Sequence, residues 1–272
     1  MFDRIIVALD GSRDAAEAGK LALWVARRIS CRIAGLSVID VRVVEGPAVE
    51  TLAPLWGEVT GRPFQPEIMR LYRDRAESTL DELCVRAEEG GIAVDRHVEI
   101  GVAEDAILET ASASDLLVMG RRGEHAGFGR QPIGTTLWRV LHRSPCPVLV
   151  SGRRPPSGGP DSEATVCDLP LVAWDASVGA RKALDLAIRY AGASGGSLRL
   201  VIAGDEASDE RLEAAHVVLA GSGLEWESAR LEQRPADAVV EAIRRWRADC
   251  VFMGAFGRGR LRDFLFGSHT AE

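Results

Sequence analysis

The chain has 272 residues, 46% of them hydrophobic and 27% charged, with a formal net charge of −7. That length accommodates two domains with separate cores, and the acidic balance argues against general nucleic-acid binding, which leaves a basic footprint. No apolar run nears the roughly 20 residues that cross a bilayer, and the N-terminus enters a strand without a signal-peptide pattern, so no membrane association and a cytoplasmic location are expected.

Ile5–Leu9 is a continuous apolar run, the pattern of a parallel strand covered on both faces. Asp10-Gly11-Ser12 ends it, and Ser12 is placed to cap the helix carried by Ala18, Leu21, Ala22, Val25 and Ile29. A second strand, about Arg32 to Ile39, leads to a Gly- and Pro-containing excursion from Val41 to Pro66, which reads as a loop or lid. Ile68, Leu71, Tyr72, Leu80, Leu83, Cys84 and Ala87 then mark a long amphipathic helix stopped by Gly90-Gly91. A third strand is expected over Ala93–Ile100, a short helix over Ala103–Ala111, and a fourth strand over Asp115–Met119. A glycine-dotted loop follows, then a helix over Thr135–His142. Pro145 and Pro147 end that helix ahead of a fifth strand, Val148–Val150. Strands alternating with helices in this way point to an α/β fold with an open parallel sheet.

Residues 152–164, rich in Pro, Gly and Ser, read as a linker between a first domain at 1–151 and a second at 165–272. The pattern then restarts. Leu169–Trp174 is a strand ending in Asp175-Ala176-Ser177, and Leu184, Ala187, Ile188 and Ala191 carry the next helix. Leu198–Ala203 is a strand, Glu210–Leu219 a helix, and Leu224–Leu231 another strand. Pro235 opens a helix ahead of the strand Asp249–Met253. By analogy with the first half, the last helix and the fifth strand are absent from the second.

The stretch Asp115–Thr136 places a G-x-x-G turn, Gly120 to Gly123, directly after a strand, and Gly134-Thr135-Thr136 at a helix start. Glycines that accept positive φ would let the backbone approach a ligand, and a helix N-terminus favours an anion. The motif returns near the C-terminus as Gly254, Gly257 and Gly267-Ser268. Arg121, Arg122, His125 and Arg130 in the first loop, and Arg258, Arg260 and Arg262 in the second, supply charge that phosphates would need. A solvated basic loop is the alternative.

On these residues both halves resemble the universal stress protein domain, and the whole is similar to tandem members of that family. The family signature is Gly, two residues, Gly, nine residues, Gly, then Ser or Thr. The second half keeps it, with nine residues between Gly257 and Gly267, whereas the first has ten between Gly123 and Gly134, with a proline at 132. The resemblance implies two Rossmann-like domains in tandem and a stress-response regulator that binds ATP, with Mg2+ as the accompanying ion. The site residues it implies are Asp10, Gly120, Gly123, Gly134, Thr135 and Thr136 in the first half. Their counterparts are Asp175, Gly254, Gly257, Gly267 and Ser268 in the second. The first half is preferred because it has the helix whose N-terminus would meet the phosphates. The resemblance also implies a homodimer formed through the fifth strand. The rival reading is an interaction or scaffold protein, engaging an unknown protein partner, whose nucleotide sites are vestigial.

Neither aspartate has a neighbouring histidine or second carboxylate that points to catalysis, so no enzyme is expected beyond a weak ATPase activity. Asp10 has the alternative of a simple turn or cap role. Two further motifs are set aside. Ser157-Gly158-Gly159-Pro160-Asp161-Ser162 matches a pyrophosphate loop but lies in linker composition, and Gly192-Ala193-Ser194-Gly195-Gly196 joins a helix to a strand, the reverse of a nucleophile elbow. The cysteines (Cys31, Cys84, Cys146, Cys167 and Cys250) are odd in number and never in C-x-x-C spacing, which reads as reduced, mostly buried thiols. No His, Asp and Glu cluster has metal-ligand spacing.

Overall fold

The structure is a computed structural model that describes residues 2–45, 64–124, 133–152 and 168–255. The chain divides into two compact units, Met1–Arg154 and Pro155–Glu272. The linker residues 153–164, the residues 46–63 of the excursion and the stretch 256–272 lie outside the described residues.

In the first unit the order is β1 (Ile5–Leu9), α1 (Arg13–Ile29), β2 (Ile33–Asp40), α2 (Val41–Val44), α3 (Phe64–Glu88), β3 (Val94–Gly101), α4 (Ala103–Thr110), β4 (Leu116–Gly120), α5 (Thr135–Arg143) and β5 (Val148–Ser151). All strand pairs are parallel, in the order β3-β2-β1-β4-β5. The expected strands and helices are present with ends shifted by a residue or so. The excursion is not wholly irregular, as its composition had implied. Val41–Val44 forms a helical turn capped by Asp40, whose carboxylate accepts from the Arg42 N–H, and Phe64 to Pro66 already belong to α3. The composition hid this because one capping aspartate holds the turn, with no long apolar period to announce it.

The second unit repeats the plan: β6 (Pro170–Trp174), α6 (Val178–Ser194), β7 (Leu198–Ala203), α7 (Asp209–Ala220), β8 (Trp226–Leu231), α8 (Pro235–Trp246) and β9 (Cys250–Met253). Its described strands form a parallel sheet in the order β8-β7-β6-β9.

Two devices recur in both halves. The first is an alanine stripe on the helix that follows the first strand: Ala15, Ala18, Ala22 and Ala26 on α1, and Ala180, Ala183, Ala187 and Ala191 on α6, all buried. Small side chains let these helices lie close against their sheets. The second is an aspartate ahead of the fourth strand. Asp115, 1% exposed, accepts from Arg4 and from the N–H and hydroxyl of Ser112. Burial alone would raise the Asp115 pKa, but those hydrogen bonds outweigh it and hold the carboxyl below its usual range. Asp249 accepts from the N–H groups of Asp168 and Leu169. These aspartates anchor the starts of β1 and β6, at the sheet end opposite the glycine loops.

Four of the cysteines are described and all are free, but only Cys146 is fully buried, with Cys31, Cys84 and Cys250 half-buried. Burial raises the thiol pKa of Cys31, Cys84 and Cys146, which disfavours the reactive thiolate. Cys167 is outside the described residues.

Candidate functional site

A cavity of about 470 Å³ opens at the C-terminal ends of β1 and β4, the point where strand order reverses and ligands enter open α/β sheets. Leu36, Val38, Ile39 and Ile107 give it an apolar side, and Gly134, Thr135 and Thr136 at the start of α5 close another. Asp10, Gly120 and Gly123 line it too. All six residues marked in the first half therefore converge on one space.

Local chemistry sets the floor. Ser12 caps α1 by accepting from the Ala15 N–H at 3.2 Å, and Asp10 Oδ1 accepts from the Ser12 N–H at 2.9 Å across a left-handed Gly11. The glycine loop is then tied to this turn in three places. Glu124 N–H donates to Asp10 Oδ2 at 2.9 Å, Arg122 N–H donates to Asp14 Oδ2 at 3.1 Å, and the Ser12 hydroxyl donates to the Arg122 carbonyl at 3.3 Å. Asp10 therefore does take a turn role, and it also holds the loop.

The glycines act differently from the expectation. Neither Gly120 nor Gly123 has positive φ. A Cβ on Gly120 would stand 2.7–2.9 Å from the backbone of Asp14 and Ala15, and one on Gly123 would stand 2.7 Å from Asp10 Oδ2. The first glycine is needed for α1 to pass close to β4, and the second for Asp10 to reach under the loop. Gly254 repeats the first case, its absent Cβ facing Gly179 and Ala180 at 2.8 Å. Gly134 is the exception. A Cβ there would meet only Gly123, Arg122 and Arg121 at 3.5–3.7 Å, ordinary contact.

Anion capacity therefore moves from the G-x-x-G amides, of which Arg122 and Glu124 are already spent, to the start of α5. Gly134 is its N-cap and no side chain caps the helix, so the first amides are available for a ligand. The Gly134 N–H donates to the Arg121 carbonyl at 2.9 Å, which fixes the approach of helix and loop despite the extra residue between them. Arg121 Nε is buried with no hydrogen-bond partner among the described residues, but Arg121 is not one of the residues that line the cavity. Arg122 lines the cavity. His125, Arg130 and Pro132 are outside the described residues, as are Arg258, Arg260, Arg262, Gly257, Gly267 and Ser268.

The sequence reading missed a charged network behind the cavity. Glu104, 4% exposed, receives Arg42 at 3.0 and 2.8 Å and is also bonded by Arg139 of α5, while Arg42 additionally grips Asp40. Burial would raise the Glu104 pKa; the guanidinium hydrogen bonds reverse that and hold it below its usual 4.5. The signal was a glutamate in the first turn of a short helix, indistinguishable in sequence from a solvated one.

In the second unit Asp175 Oδ1 accepts from the Ser177 N–H at 2.9 Å and Ser177 caps α6, as in the first. Ala176 takes the place of Gly11 and keeps positive φ, at 62°. His216 is bonded to Ser228 Oγ at 2.8 Å, and its ring lies tilted against that of Trp226 at 5.0 Å. Among the described residues no group of three His, Cys, Asp or Glu side chains is placed to hold a metal ion, and no helix is long and apolar enough to cross a membrane.

The family profile described as the Universal stress protein family matches residues 1–151 and 171–272. A universal stress protein of Synechocystis sp. is 25% identical over 280 residues, covering 98% of this chain and 94% of that protein. Another, from Thermus aquaticus, is 31% identical over 152 residues, 55% of this chain and 98% of its own length. Among solved structures, a universal stress protein from Archaeoglobus fulgidus superposes with a TM-score of 0.71 at 20% identity, over 93% of this chain and 87% of that one.

Proposed function

The chain belongs to the universal stress protein family, and we propose that its first unit binds an adenine nucleotide, ATP with Mg2+, at the ends of β1 and β4. The observation that carries this reading is the uncapped start of α5, which opens into the cavity. The residues fit such a ligand. About 470 Å³ lies within the roughly 300–1,000 Å³ typical of small-molecule sites. The apolar wall suits a base, and Thr135 and Thr136 offer amides and hydroxyls to phosphates. Bound Mg2+ would supply charge compensation for those phosphates. Asp10 would meet the ribose side while keeping its grip on the loop.

The role is regulatory, in a cytoplasmic stress response, and the protein is not an enzyme beyond weak ATP hydrolysis. Asp10 is engaged by N–H groups and Asp40 by a guanidinium, and among the described residues no histidine lines the cavity, so Glu124 is the one lining acid on an exchangeable partner, which fits no more than weak hydrolysis. We further propose a homodimer through β5, whose half-buried Val148, Leu149 and Val150 form a sheet edge in the first unit.

Isothermal titration with Mg-ATP on the wild type and Gly134→Val tests the site. Gly123→Val would drive a side chain into Asp10 and collapse the loop, so it reports on folding. Gly134→Val places its Cβ at ordinary contact distance, with φ at −68°, and adds branched carbons at the helix start. At least a ten-fold loss of affinity is expected, with a fall in melting temperature no larger than the poorer N-cap explains, about 1 kcal/mol, and equal affinity in the two proteins would sink the assignment. One observation favours the rival reading of a scaffold with a vestigial site: Asp10 and Asp14 already occupy the loop amides. Absence of any thermal shift with ATP, ADP or AMP at millimolar concentration would decide for it.

A further inference from the structure

The charged residues lining the cavity are three acids, Asp10, Asp40 and Glu124, and three bases, Arg42, Arg75 and Arg122. A polyphosphate entering such a balanced lining gains little unless a base is released to it. Asp10 is committed to two backbone N–H groups, and Arg42 to Asp40 and Glu104. Arg75 of α3 and Glu124 of the glycine loop form a different kind of pair. Among the described residues the guanidinium and the carboxylate are bonded only to each other, through Arg75 Nη1 and Glu124 Oε1. Both side chains stay substantially exposed, at 41% and 38%, and an exposed ion pair contributes little to stability, so its partners exchange at little cost.

The pair also sits at a junction. The Arg75 guanidinium lies over Gly11, 3.0–3.1 Å from where a Cβ would stand on that residue. It lines the main cavity and a second one of about 270 Å³ between α1 and α3, together with Leu9 and Thr79. Arg75 is thus part of the wall between the two spaces. The backbone beneath Glu124 is pinned to Asp10, so its side chain can swing away without the loop opening.

We propose that Arg75 and Glu124 form a charge-selective latch, in which the phosphate tail of a nucleotide displaces Glu124 and takes Arg75 for itself. The inference rests on the nucleotide reading above and adds what the site measures: the number of phosphates. A phosphate carries more charge and more acceptor oxygens than a carboxylate and wins the guanidinium. Adenosine, with no phosphate, leaves the latch closed. Glu124 then acts as a specificity-determining residue that holds back weakly charged ligands from Arg75 and opposes every anion until it is displaced.

Titration of the full chain with adenosine, AMP and ATP, in the wild type, Glu124→Gln, Arg75→Gln and the double variant, tests this. Glu124→Gln is expected to tighten ATP about three- to five-fold, AMP less, and adenosine not at all. Arg75→Gln should weaken ATP by a similar factor and spare adenosine. In the double variant the gain from Glu124→Gln should shrink, because no guanidinium is left to release. A pair that is merely structural would move all three ligands together. Equal changes for adenosine and ATP, or none, overturn the latch and leave the nucleotide reading standing. A wild type that binds none of the three overturns both.

Discussion

Replacing Gly120 by alanine separates two explanations of the first signature glycine. If glycine is there to admit a ligand, Gly120→Ala should cut nucleotide binding and spare the fold. The structure predicts the opposite emphasis. The new Cβ would stand 2.7 Å from the Asp14 carbonyl carbon and 2.8 Å from the Ala15 nitrogen, about 0.8 Å inside the ~3.5 Å at which carbon contacts become favourable. Both neighbours are backbone, so no rotamer change relieves the clash. Either α1 lifts off the sheet, loosening Ala15, Ala18, Ala22 and Ala26, or β4 shifts against β5, where Gly120 pairs with Ser151. Overpacking of this kind costs about 1–3 kcal/mol. Taking about 2 kcal/mol, the first unit's melting temperature should fall by about 4–8 °C. Scanning calorimetry measures it, with Gly254→Ala as the matched change in the second unit and Gly134→Ser as the control. Serine is a favoured N-cap with room for its Cβ at position 134, so the control should be neutral or stabilising. A shift for Gly120→Ala no larger than for Gly134→Ser would refute the reasoning.

The buried Glu104 makes a pH prediction. Its folded pKa is depressed, so its contribution to stability is complete above its ordinary 4.5 and is lost as pH falls through the lower folded value. Asp115 acts in the same sense from 3.8 downward. Melting temperature against pH, from 6 to 3 in steps, should fall less steeply on the acid side in Glu104→Gln than in wild type; superimposable slopes would refute the assignment. For assembly, light scattering across a concentration series should give the mass of a dimer, and a monomer at the highest concentration would remove β5 as an interface.

Most of the fold was legible because each strand is an apolar run and each helix announces itself by period and cap. Ile5–Leu9 and Leu116–Met119 are buried on both faces, so burial and pattern coincide. Legibility ended where one residue serves two masters. Gly120 and Gly123 look in sequence like a phosphate cradle, yet their missing side chains answer to Asp14, Ala15 and Asp10, contacts between parts of the chain over a hundred residues apart. Nothing in the local sequence sets Glu104 or Arg75 apart from other helical charges. What gives them a role is the end of β2 and the glycine loop, which no local spacing brings near. Asp10 was read as a ligand contact or a turn, and it carries both the turn and the loop.

The proposed preference for the first half has a physical basis at the end of the first strand of each repeat. In the first half, Leu9 ends β1 and lines the cavity, and Tyr72, Arg75, Ala76 and Thr79 of α3 line it at a distance that leaves the space open. In the second, the corresponding position is Trp174, buried, with its indole N–H donating to the Arg211 carbonyl at 2.7 Å. Arg211 lies in the first turn of α7, which follows β7 after only a short connection through Gly204 and the fully buried Ser208. Without the excursion, the helix start is drawn onto the end of β6 and a large aromatic side chain occupies the space beside it. A fold that shortens this connection and swaps leucine for tryptophan uses the same sheet end for packing. The repeat therefore keeps the turn chemistry of Asp175 and Ser177, which builds the fold, in a half where tryptophan stands in place of a cavity-lining leucine.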